Sequence, residues 1–131
     1  DLRPVMRVVT KVVSLKELPA GHAVSYNRRY RCDGARRIAV VPIGYADGYR
    51  RALTGRARMS VAGHPVPVVG TVCMDHTMID VTGVPGVAIG TDVEVMGVAS
   101  MGAEEMARIC GTIPYEILVQ VGPRIPRVTV D

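Results

Sequence analysis

Arg58-Met59-Ser60-Val61-Ala62-Gly63-His64-Pro65-Val66-Pro67-Val68-Val69-Gly70-Thr71-Val72 is the stretch on which the fold turns. Its two runs, Arg58 to Ala62 and Val66 to Val72, favour strands, and Gly63-His64 between them is a turn signal, so the sequence predicts a β-hairpin. The same grammar continues on both sides. Upstream, Val-rich Met6 to Leu15 and the apolar run Arg37 to Ile43, ended by Gly44, each predict a strand. Downstream, Met78-Ile79-Asp80-Val81 and Thr91-Asp92-Val93-Glu94-Val95-Met96 predict two more, the second alternating with period two so that one face meets water. Thr82-Gly83-Val84-Pro85-Gly86 and Gly90 are turn chemistry.

The 14 glycines and 9 prolines are spread along the chain rather than gathered in a linker. One helix is predicted from about Ala103 to Cys110. Glu104 and Glu105 suit the positive end of its dipole, Met106, Ile109 and Cys110 share a face, and Gly111 can take the left-handed stop. Tyr115 to Val121 stays open between a strand, favoured by β-branched content, and a short helix. Many strands without strand-helix alternation give a mainly β fold, a barrel or a packed sheet with one or two short helices, expected as a single domain over residues 1–131. Its unusual residues fall on turns, where function is usually carried.

A chain of 131 residues with 48% apolar content can bury one ordinary core, which argues against disorder. It opens on Asp1 rather than Met, with no charged-then-apolar leader and no stretch long enough to span a bilayer, so the expectation is a soluble segment of something longer. Cys32, Cys73 and Cys110 are odd in number and form no Cys-x-x-Cys pair, which suits a reducing compartment. His22, His64 and His76 fall outside metal-binding spacings, and no metal is expected. The net charge of +4 is carried mainly by arginine, clustered at Arg28, Arg29, Arg31, Arg36 and Arg37. With no Trp, no Phe and only five Tyr, stacking platforms for single-stranded nucleic acid are scarce. Arginine forks suit carboxylates, phosphates and interface pairs better.

Four ordered motifs carry a resemblance: Val24-Ser25-Tyr26, Gly44-Tyr45-Ala46-Asp47-Gly48-Tyr49-Arg50-Arg51, Val69-Gly70-Thr71-Val72-Cys73-Met74-Asp75 and Pro114-Tyr115-Glu116. Together they resemble the C-terminal domain of alanine racemase, over nearly the whole chain from Pro4-Val5-Met6 to Val128. The resemblance implies a β-barrel-like domain, a short helix at Tyr115, and an isomerase dependent on pyridoxal phosphate. In that family the cofactor lysine lies on an N-terminal barrel, and nothing here resembles that barrel. The resemblance therefore implies that the isolated domain is inactive. It further implies a cytoplasmic homodimer in which the domain faces the barrel of a partner subunit, and a role in making D-alanine for the bacterial cell wall.

Racemisation at an α-carbon needs one group to take a proton from one face and another to return a proton on the opposite face. Pyridoxal phosphate serves as the electron sink, while the protein orients groups around it. By resemblance, Tyr26 is the catalytic base of one face. Tyrosine, with an ordinary pKa of about 10, needs cationic or hydrogen-bonding neighbours for that work. Family members usually place Gly after this tyrosine; here Asn27 stands, the commonest non-glycine residue at positive φ. Tyr45, between glycines, is expected to face a cavity, and by resemblance it lines the substrate corridor with Arg51. Asp47-Gly48 alone reads as a hairpin turn, a role that can coexist with the corridor.

Resemblance also implies that the backbone N–H of Met74 donates to the substrate carboxylate and that the Tyr115 hydroxyl contacts the cofactor phosphate. Thr71 stands where the family often has Arg. Asp75 orients neighbouring donors or satisfies a turn, Cys73 reads as packing, and Lys11 and Lys16 read as solvated rather than Schiff-base lysines. Two other functions remain open: a racemase of another amino acid such as serine, and a small basic β-barrel binding nucleic acid.

Overall fold

Val12 and Val13 turn a row of strands into a curled wall. The computed structural model describes residues 2–131. Among them the strands are β1 (Val8–Lys11), β2 (Ser14–Leu18), β3 (Ala23–Val24), β4 (Tyr30–Arg31), β5 (Arg36–Val41), β6 (Arg58–Val61), β7 (His64–Val69), β8 (Thr77–Asp80) and β9 (Asp92–Met96). Seven form one antiparallel sheet in the order β1-β9-β6-β7-β8-β5-β2, and β3 pairs with β4 apart from it. The two end strands are consecutive pieces of one segment. Between them, the Val12 N–H donates to the Thr91 carbonyl at 2.9 Å and the Val13 N–H to the Val40 carbonyl at 2.9 Å. One dipeptide thus serves both edges, and the sheet bends into a barrel-like form. The single strand predicted over Met6 to Leu15 is therefore two, because the chain must swing from β9 to β5 at Val12.

The β6–β7 hairpin forms with Val61 opposite His64, so its turn is Ala62-Gly63, one residue earlier than predicted. Both turn residues take positive φ, 50° and 77°, as a tight hairpin that follows the sheet twist requires. His64 joins the strand instead. β7 stops at Val69 because Gly70 turns away at φ 68°, earlier than the predicted Val72.

Period-two alternation fills both faces of the wall. On β5, Ala39 and Val41 enter the main core while Ile38 points the other way; on β8, Ile79 and Met78 divide likewise. The main core includes fully buried Met59, Val61, Ile79 and Val93. Ile38, Val69 and Met78 instead join Val24, Cys32 and Cys73 in a second cluster, beneath the small β3–β4 pair. That cluster seats the segment carrying Tyr26. β9 behaves as predicted: Asp92 is exposed and Glu94 half-buried, alternating with buried Val93 and Val95.

Helix α1 (Ala103–Cys110) has the predicted bounds, stopping at Gly111 with φ 66°, and buries Met106 and Ala107. Tyr115 to Val121 resolves as a helix, α2 (Pro114–Val119). Pro114 sits in its first turn, where φ is already helical and the missing N–H costs nothing. No helix among the described residues is long and apolar enough to cross a membrane.

Candidate functional site

Two turns converge on the segment that follows β7. The first is a 3-10 turn, Tyr45–Asp47, closed by Gly48 at φ 97°, so the hairpin read from Asp47-Gly48 is not formed. The Tyr45 N–H donates to the Cys73 carbonyl at 3.0 Å, and the Ala46 N–H to the Met74 carbonyl at 3.0 Å. Asp47 caps the turn from inside, its Oδ2 accepting the Gly44 N–H at 3.1 Å. A Cβ on Gly44 would lie 2.2 Å from the Cys73 carbonyl oxygen, and one on Gly48 would lie 2.2 Å from that of Gln120. Only glycine permits these approaches.

The second turn, Tyr26–Arg28, puts three non-glycine residues at positive φ: Ser25 at 67°, Asn27 at 62° and Arg28 at 48°. Asn27 thus takes the conformation anticipated for it. Hydroxyls tie this turn to the segment after Gly70. Ser25 Oγ donates to the Thr71 carbonyl at 2.9 Å, and Thr71 Oγ1 donates to the Tyr26 carbonyl at 3.2 Å. Thr71 therefore fixes the main chain at Tyr26. Cys73 is buried, its sulfur 3.7 Å from Ser25 Oγ, and it packs as expected.

An open cleft of about 390 Å³ results, lined by Tyr26, Tyr45, Arg51, Thr71, Met74 and Asp75 among others. Tyr26 is 70% exposed, Met74 54% and Tyr45 43%, high for such large apolar groups. The Met74 N–H donates to no acceptor among the described residues. The structure thus brings together three of the four residues singled out from the sequence.

Tyr115 stands apart, 75% exposed on α2 and outside this cleft. Its neighbour Glu116 pairs with Arg50 at 2.7 Å, tying α2 to the loop that follows Tyr45. That hydrogen bond from Arg50 holds the Glu116 carboxyl below its ordinary value. Arg36 and Arg58 are likewise paired, with Asp33 and Glu105. Of the cluster Arg28, Arg29, Arg31, Arg36 and Arg37, only Arg36 is paired with carboxylates among the described residues, while Arg31 and Arg37 donate to the carbonyls of Gly21 and Val87.

The cleft offers phenol hydroxyls, a guanidinium and an unspent amide, a donor set suited to carboxylate or phosphate. It offers no lysine. Lys11 pairs with Asp92 across β1 and β9, and Lys16 lies on β2. A carbonyl cofactor could be contacted here but not attached.

Sequence reading missed Arg124. It bonds Asp47 and Asp75 at once, from a tail to which no motif drew attention. Thr54 was missed too; its Oγ1 accepts the Val72 N–H at 3.0 Å and donates to the Arg51 carbonyl.

These features define an antiparallel β domain whose loops carry an open, exposed cleft of hydrogen-bond donors. The chain belongs to the family described as alanine racemase, C-terminal domain, whose model matches residues 5–129. The alanine racemase of Geobacter sulfurreducens is 47% identical over 97% of the chain and 34% of its own length. The chain spans about a third of the length of the curated relatives it matches. Among solved structures, alanine racemase from Streptomyces lavendulae superposes with a TM-score of 0.92 at 36% identity, covering 99% of this chain and 35% of that one. Alanine racemase from Bartonella henselae, with covalently bound pyridoxal phosphate, does so with a TM-score of 0.89 at 30% identity, covering 95% and 34%.

Proposed function

We propose that this chain is the C-terminal part of an alanine racemase that interconverts L- and D-alanine, and that its cleft is completed by a cofactor-bearing barrel of a partner subunit. One observation carries the reading. In a chain matched almost end to end by alanine racemases, Tyr26, Tyr45 and the free N–H of Met74 share one cleft that opens outward. A cleft with exposed aromatics and no lysine of its own suits a site shared between chains. D-alanine for the bacterial cell wall, made in the cytoplasm, is the product role that accords with the bacterial relatives.

Pyridoxal phosphate, when bound, supplies the electron sink that lets a proton leave the α-carbon. This chain's residues do the rest of the work on one face. The Tyr26 side chain takes the α-proton there as phenolate and, in the opposite direction of turnover, delivers it as phenol, its main chain held by Thr71 and Ser25. The Met74 N–H receives the substrate carboxylate, a preorganised main-chain donor that needs no particular side chain. Tyr45 and Arg51 line the approach, and the guanidinium attracts an anionic end. Tyr115, away from the cleft, donates to the cofactor phosphate; one neutral hydrogen bond contributes about 0.5–1.5 kcal/mol, enough to orient the phosphate but not to retain it alone.

The test is a racemisation assay of the full-length protein beside the isolated domain, both with pyridoxal phosphate. D-alanine formation by the full-length protein alone is the expected result. Turnover by the isolated domain, or a preference for serine in the full-length protein, overturns the reading.

A further inference from the structure

Arg124 touches both halves of the wall formed by Tyr45 and Met74. Its Nε donates to Asp47 Oδ1 at 3.0 Å; its Nη2 lies 2.9 Å from the same oxygen and donates to Asp75 Oδ1 at 2.8 Å. Asp47 is buried and already engaged through its other oxygen with the Gly44 N–H. Asp75 is more than half exposed and follows Met74 directly. The tail bearing Arg124 is seated by the Gly122 N–H on the Asp47 carbonyl at 2.9 Å, and Arg127 grips the carbonyls of Val121, Gly122 and Ile125.

We infer that Arg124 is a positioning residue that clamps Asp75 to Asp47 and thereby sets the Met74 main-chain donor relative to Tyr45. The inference rests on the reading that this donor meets the substrate carboxylate. Two carboxylates would repel across this gap; a planar guanidinium between them makes their approach favourable and fixes it in direction. The Asp75 arm is solvated, so it contributes little to global stability. Its effect is local, on the segment from Cys73 to Asp75. The Tyr26 turn is tied by Ser25 and Thr71 and has no bond to Arg124, so proton transfer at Tyr26 lies outside the clamp.

The experiment uses full-length protein and two variants, Asp75→Asn and Arg124→Lys. Asp75→Asn leaves buried Asp47 paired and protects against a folding failure. Each variant is expected to raise KM for L-alanine about tenfold with kcat within about twofold, the pattern of a misplaced binding group. Amide hydrogen exchange of Ala46, whose N–H binds the Met74 carbonyl, is expected to quicken in both while β6 and β9 stay protected. Unchanged KM and unchanged Ala46 exchange overturn the clamp. A parallel loss of kcat, or exchange quickened throughout the sheet, makes the role merely structural and overturns it as well. If wild type does not racemise alanine, the functional reading fails, and Ala46 exchange, which needs no activity, still decides the clamp.

Discussion

The two turns that meet at the cleft are held by opposite means. The Gly44–Gly48 turn is fixed from inside by a buried carboxylate, two main-chain bonds to Cys73 and Met74, and contacts too close for any side chain. The Tyr26 turn has no buried residue and keeps Ser25, Asn27 and Arg28 at positive φ, secured by hydroxyls to one neighbouring segment. Left-handed backbone at non-glycine residues costs free energy, and such cost gathers where a side chain must be aimed. One turn is thus a rigid wall. The other is a strained arm presenting Tyr26.

Substitutions can break this contrast. Gly44→Ala forces a Cβ to within 2.2 Å of a backbone oxygen, and is expected to destabilise by about 3 kcal/mol, read as a lower urea midpoint with unchanged slope. Asp47→Ala leaves the buried Gly44 N–H without its acceptor and should cost about 2 kcal/mol in the same measurement. On the arm, Asn27→Ala should cost only about 1 kcal/mol and Asn27→Gly almost nothing, because the penalty is local backbone strain. Equal losses at Gly44 and Asn27 would erase the distinction.

The smallest effect belongs to the outer ion pairs. Hydrogen bonds from Arg58 and Arg50 hold the Glu105 and Glu116 carboxyls below their ordinary 4.5. Because the folded values lie below the unfolded ones, this stabilisation is full above about pH 4.5 and fades as pH falls through the folded values. A melting temperature that drops below pH 4.5, and drops less steeply in Arg58→Gln, is the expected profile.

Much of the architecture could be read beforehand from particular residues. Gly63 announced the β6–β7 hairpin, though β-branched residues on both sides could not show which two residues make the turn. Gly111 and the acidic pair Glu104-Glu105 bounded α1. Val12-Val13 gave no warning of the bend, since a Val-rich run contains no breaker and the cause is tertiary: one segment must pair with β9 and then with β5. The helix at Pro114–Val119 was implied by the resemblance alone, against the β-branched content of that stretch. At the cleft, Tyr26, Tyr45 and Met74 were legible because their motifs are local and ordered. Arg124 was not, because its partners lie 77 and 49 residues away and no local pattern joins them.

The central claim is that Tyr26 moves the α-proton on one face. Its most direct test is exchange of the α-hydrogen of L-alanine in heavy water by the full-length protein with pyridoxal phosphate, comparing wild type with Tyr26→Phe. The account predicts exchange in the wild type and its collapse in the variant, whereas equal exchange in the two would contradict it.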